Sequence, residues 1–150
     1  MGKPPIVLVA LLLLFLLTCN GCILVPFINS AKQSGLLRSD RERLLQEEVT
    51  KFHRVRFWGK SMQALGFASD EGRESVGDFL RAHSEGEKVV ESAIDFVDFQ
   101  EDAYRAEVAA RIKYYRVPYY VVEERIENQN WAFSVASGWK ITDVRVDKKL

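Results

Sequence analysis

The chain has 150 residues, with 21 basic and 21 acidic side chains and a formal net charge of zero. That balance gives no electrostatic footprint for nucleic acid or for an anionic membrane face, so no nucleic-acid partner is expected. Two histidines and two cysteines, both cysteines before residue 23, nearly exclude a His/Cys zinc site, and they leave the rest of the chain without a disulfide.

Residues 4–22 read Pro-Pro-Ile-Val-Leu-Val-Ala-Leu-Leu-Leu-Leu-Phe-Leu-Leu-Thr-Cys-Asn-Gly-Cys. Lys3 supplies a positive start, Ile6 to Leu17 is unbroken apolar sequence, and Thr18 to Cys22 are small or polar. This is the pattern of a secretory signal peptide. Its exit resembles the lipobox of bacterial lipoproteins, where a small residue precedes the cysteine that is lipidated and becomes the first residue of the mature chain. Gly21-Cys22 meets that requirement. Thr18-Cys19 is the second choice, because Thr is bulkier at the cleavage site. The sequence departs from the family at position −3 from Cys22, where Cys19 replaces the usual aliphatic residue.

The resemblance implies a membrane-lipid partner through acylated Cys22. With Ile23 rather than Asp next, it also implies the outer membrane, facing the periplasm, in hosts that sort by that residue. Two other fates stay open. One is an ordinary cleaved signal. The other is an uncleaved anchor from Ile6 to Ile28, long enough to cross about 30 Å of hydrocarbon. Myristoylation is excluded by Ile6 at the position that needs Ser or Thr. The resulting division is a signal peptide at 1–21, a lipidated tether at 22–38 and a folded domain at 39–150. Removing residues 1–21 leaves 129 residues, one domain by size.

Pro26 and Gly35 discourage a continuous helix through the tether. Residues 39–66 then carry a helical pattern. Ser39-Asp40-Arg41-Glu42 reads as a capping box, and Leu45, Val49, Phe52, Val55, Trp58, Met62 and Leu65 recur at steps of three and four. Gly59 is expected to bend the helix and Gly66 to end it. A shorter helix is expected over 69–85, capped by Ser69, with Val76, Phe79, Leu80 and His83 on one face.

From residue 88 the period becomes two. Val90, Ile94 and Phe96 alternate with Glu91 and Asp95. Gln100-Glu101-Asp102 turns the chain. Tyr104, Ala106, Val108, Ala110, Ile112 and Tyr114 then face one way, while Arg105, Glu107, Arg111 and Lys113 face the other. Tyr119 to Ser134 is strand-like, but its apolar side switches between Ile126 and Trp131, so a bulge is expected around 127–130. Ala136-Ser137-Gly138 predicts a hairpin turn into a last strand ending near Val146.

Two helices followed by a meander of long strands is an α+β pattern. That order, closing on Trp131-Ala132-Phe133 and Gly138-Trp139-Lys140-Ile141, resembles the nuclear transport factor 2-like superfamily. The resemblance covers about residues 39–146. It implies a cystatin-like roll, a cone in which a curved antiparallel sheet wraps the helices around a pocket. The candidate lining is Phe52, Trp58, Phe96, Tyr104, Ile112 and Tyr114. Isomerase-like members hold a carboxylate base in the cone. The strand pattern offers no inward carboxylate here, so no catalytic residue, cofactor or metal is expected. His53, His83 and the basic side of the first helix read as structural or solvated groups.

Tyr115, Pro118 and Tyr119 form a candidate interaction patch at one end of the sheet. The reading is an envelope lipoprotein that binds or assembles. Its partner would be another envelope protein, or a second copy through the sheet. A ligand pocket or an isomerase- or hydrolase-like enzyme in the cone is the alternative.

Overall fold

The computed structural model describes residues 34–147. The leader, Cys19, Cys22 and the tether up to Gln33 lie outside them. The unit that begins at Gly35 holds, in chain order, helix α1 (Arg38–Phe57), a 3-10 helix (Ser61–Phe67), helix α2 (Arg73–Ala82) and four strands. These are β1 (Glu87–Gln100), β2 (Arg105–Arg116), β3 (Glu123–Ser134) and β4 (Gly138–Val146), with a short 3-10 turn between β1 and β2. The strands pair antiparallel in the order β1-β2-β3-β4, an open four-stranded meander. The class is α+β, as the change of period predicts. Among the described residues no helix is long and apolar enough to cross a membrane.

The core lies between one sheet face and the helices. Leu45, Val49 and Phe52 of α1, with Val76, Phe79 and Leu80 of α2, pack on Ala106, Val108, Trp131, Phe133, Trp139 and Ile141. Burial of these bulky side chains is the main stabilising term, at about 1.5–3 kcal/mol each. Within the closing hairpin, Trp131 stands opposite Ile141 and Phe133 opposite Trp139. The Trp139 indole N–H donates to Arg41 O at 2.8 Å, so β4 is tied to α1.

Several local expectations give way to competing interactions. The capping box does not form, because Arg38 Nε binds Glu42 at 2.8 Å and Ser39 lies inside the first turn. Gly59, at φ +72°, ends the helix outright, and the segment expected to continue it tightens into the 3-10 helix. Trp58 is therefore a helix terminus, 70% exposed, and Arg56 takes the last buried position. Ser69 accepts the Gly72 N–H at 3.0 Å one turn ahead of α2. His83 closes α2, stacked on Phe79 at 4.4 Å, and its Nδ1–H donates to Phe79 O.

On β1 two extra residues, Val90 and Asp95, bulge out of the ladder with β2. Each bulge reverses the side that the following residues face. Val89, Val97 and Phe99 pack inward, whereas Phe96 lies opposite Ala109 on the outer face and is 61% exposed. On β2, by contrast, Ala106 to Tyr114 alternate inward as expected. The bulge expected in β3 is absent from its ladder with β2; the extra residue in its ladder with β4 is Thr142. The outer edge of β4 meets the chain after the first 3-10 helix, through an Ala68–Ile141 bridge and the Ser69 N–H on Ile141 O at 2.9 Å.

Candidate functional site

The inward face of β3 explains why its apolar pattern breaks. Arg125, Glu127 and Gln129 point into the fold alongside Trp131 and Phe133, and all five are buried. Burying a charge is costly unless it is paired, and these are paired. Arg56 places both terminal nitrogens on Glu127, at 2.6 and 2.8 Å, a two-pronged contact between α1 and the sheet. Arg125 Nε binds the same carboxylate at 2.8 Å.

At the start of β1, Glu87 Oε1 lies 2.7 Å from Arg125 Nη2. The two are charge-paired but off the line that a hydrogen bond requires. The Arg125 guanidinium also covers the Tyr114 ring at 4.4 Å, and the Tyr114 hydroxyl donates to Glu123 at 3.0 Å. Further in, the Gln129 amide meets His53 Nε2 at 3.1 Å, while its carbonyl accepts the Trp131 indole N–H.

These neighbours set the protonation states. Burial pushes the Glu127 carboxyl up, but Arg56 and Arg125 outweigh it and hold it at about 2. His53 is lowered to about 4, by burial first and by Arg56 second, against a smaller opposing pull from Glu127. The imidazole is thus neutral and accepts from Gln129. Tyr114 is raised, by burial and then by Glu123. Two inward carboxylates, Glu87 and Glu127, exist after all. Glu127 is hydrogen-bonded to two arginines, whereas Glu87 is charge-paired with Arg125 and Arg116 and accepts no hydrogen bond among the described residues. Among the described residues no group of three or more His, Cys, Asp or Glu is placed to hold a metal.

Above this network the chain leaves β2 and forms the tip of that end of the sheet. The Val117 N–H binds Gly86 O at 2.9 Å, and the N–H groups of Tyr119 and Tyr120 both reach Arg116 O. The Val117–Pro118 bond is cis, and Tyr120 sits at φ +47°. Tyr115 lies against the Tyr120 ring at 5.4 Å. Val117, Tyr119, Tyr120, Val121 and Val122 are all exposed, Tyr119 at 80%. Trp58 follows the last turn of α1, and its neighbour Gly59 lies beside the side chain of Lys88, which pairs with Tyr115 at this end of the sheet. Tyr115, Pro118 and Tyr119 therefore belong to a larger apolar tip. Tyr120 also flanks Pro118 in the sequence, but Val121 and Val122 were missed by assigning residues from 119 onward to a strand. Pro118 followed by two tyrosines at a strand boundary was the available signal.

The six residues expected to line a cone pocket do not meet around one. Phe52 fills the main core, and Ile112 and Tyr114 form a second small cluster with Ala110 and Val89. Tyr104 lies at the opposite end of the sheet, half covered by Arg41 at 4.2 Å. Trp58 and Phe96 face solvent. Two open clefts of about 460 and 480 Å³ lie elsewhere, against Asn130–Phe133 and Thr142, and share Glu71. Their lining mixes charges of both signs with backbone and contains none of those six residues.

No family model matches this chain, and no curated protein matches it. Among solved structures it is similar to one described as the crystal structure of the intermembrane space region of chloroplast protein ARC6. The TM-score is 0.48 at 20% identity, over 71% of this chain and 96% of that one. That likeness bears on neither the role nor the partner of this chain.

Proposed function

We propose that this chain is a lipid-anchored module of the cell envelope that works by surface contact rather than by catalysis. Its folded unit would be a cystatin-like roll of the nuclear transport factor 2-like kind. The anchor reading rests on the leader and on Gly21-Cys22. The contact reading rests on one observation: the apolar run Val117–Val122 is held out at the end of two strands, above a charge network that is already paired. A site for acid–base chemistry needs a group with an unmet partner beside an open cavity. Here Glu127 accepts from both Arg56 and Arg125, and neither of the two open clefts reaches it.

Both halves are testable. Labelled fatty acid should enter the wild-type chain and not Cys22→Ala, which should also stay at precursor size. Label retained in Cys22→Ala moves the anchor to Cys19 or removes it. For the contact, a photoreactive side chain replacing Tyr119 should capture protein or lipid in intact cells. The same group replacing Asn128, on the outer face of the sheet, should capture neither. Equal capture at both positions, or none at Tyr119, overturns the reading.

A further inference from the structure

We propose that the tip formed by residues 117–122 and Trp58 docks on a lipid bilayer, entering its headgroup region. This rests on the reading that the tip is a contact surface, and it names the occupant. The composition fits: Trp58, Tyr119 and Tyr120 carry rings with one apolar and one polar end, and Val117, Val121 and Val122 are aliphatic. Tyrosine and tryptophan concentrate at membrane–water boundaries for that reason.

Size favours lipid over a large, permanent protein interface. A stable interface draws on roughly 20–30 residues a side, far more than this tip offers. A lipid contact needs only a narrow apolar wedge, sunk about 5–10 Å. The wedge is also preformed. Backbone bonds to Arg116 and Gly86 fix its base, and Tyr120 holds a left-handed conformation that a side chain rarely adopts. The side chains are therefore displayed rather than folded back.

Local charge is complementary to anionic headgroups. The Lys88 ammonium lies against Gly59, beside Trp58, and neither it nor Lys60 has an ion-pair partner among the described residues. Of the acids near the tip, Glu123 accepts from Tyr114 and Glu124 faces Arg111 at 4.0 Å, while exposed Glu85, beside Gly86, is set against Lys88 and Lys60. Because the whole chain is neutral, the lysines orient the contact while the apolar side chains hold it.

The test uses the full chain reconstituted in vesicles of phosphatidylethanolamine and phosphatidylglycerol with brominated acyl chains. Trp131 and Trp139 are buried at 1% and 2% exposure and supply a constant background. In a Trp58→Phe chain, Tyr119→Trp should shift to the blue and lose a clear part of its added emission to the bromines, because its ring would sit at the acyl boundary. Val135→Trp, in the hairpin at the opposite end, should keep its emission. Native Trp58, read as the difference from Trp58→Phe, should also be quenched, which covers the case of a misfolded Tyr119→Trp chain.

No quenching at either tip position, or equal quenching at Val135→Trp, overturns the lipid contact. Cys22→Ala separates this from the anchor. Quenching that persists in it supports the tip contact when acylation is lost. Unquenched tip residues in a fully acylated chain overturn the contact and leave the anchor standing.

Discussion

Arg56, in the last turn of α1, grips Glu127, near the middle of β3, through two parallel hydrogen bonds of 2.6 and 2.8 Å, with both side chains sealed from water. Such a pair contributes less to net stability than its Coulomb energy suggests, because both ions were well solvated in the unfolded chain. Breaking it is another matter. Glu127→Ala leaves Arg56 and Arg125 buried with no shared counter-ion and should cost about 3–5 kcal/mol. Urea unfolding measures the loss. A double-mutant cycle with Arg56→Met should return a coupling of at least ~1 kcal/mol.

Acid should weaken the fold in two successive windows. His53 stands at about 4 in the folded chain against 6.5 unperturbed, so between those values the unfolded chain takes up a proton that the folded one refuses. Stability must then fall as pH drops from 6.5 towards 4, by up to about 3 kcal/mol. Glu127 extends the loss from its ordinary 4.5 down to about 2, since its carboxylate is favoured in the folded state. His53→Gln should flatten the upper window and leave the lower one in place. Denaturant midpoints across pH 3–7 separate the two.

Two glycines should answer differently to the same change. A Cβ on Gly72 would collide with the backbone carbonyl of Thr142, so the start of α2 can approach β4 only without a side chain. Gly72→Ala should cost about 1–3 kcal/mol. Gly66 has nothing within 4 Å of its Cβ position, and Gly66→Ala should stay within about 0.5 kcal/mol of wild type. Thermal midpoints of the two variants test the contrast.

Arg41 should control the far end of the sheet. Its guanidinium donates to the carbonyls of Gly35, Leu36 and Asp102, at 2.9, 3.0 and 2.8 Å. Residues 101–103 all hold positive φ, a turn with little intrinsic preference for its shape. Arg41→Met should cost about 1–3 kcal/mol. Hydrogen exchange should accelerate first at the Tyr104 amide, while amides in the middle of β2 change only with global stability.

Much of the fold was legible because period survives in a single sequence. The step of three and four through Leu45, Val49 and Phe52 marked α1, and the strict alternation from Ala106 to Tyr114 marked β2. The hairpin was plain in Ala136-Ser137-Gly138. Two kinds of information were not local. A bulge such as the one at Asp95 inverts the face of the residues beyond it, which moved Phe96 outside. Polar residues turned inward are also invisible to a rule that places apolar ones there. Arg125, Glu127 and Gln129 therefore read as a break in β3, when they are the groups that receive α1. Their partners, Arg56 and His53, lie more than seventy positions away. The tip was half visible, through Pro118 and its tyrosines, and the other half was absorbed into a strand that begins only at Glu123.

The margins of the sheet bear on whether copies of this chain can join edge to edge. A straight, unguarded strand offers its amides as a template on which the next molecule can stack. One margin here is bent twice, at Val90 and Asp95, and the other carries the Ala68–Ile141 bridge. Even at high concentration, then, these margins should not let a continuous ladder pass from one copy to the next.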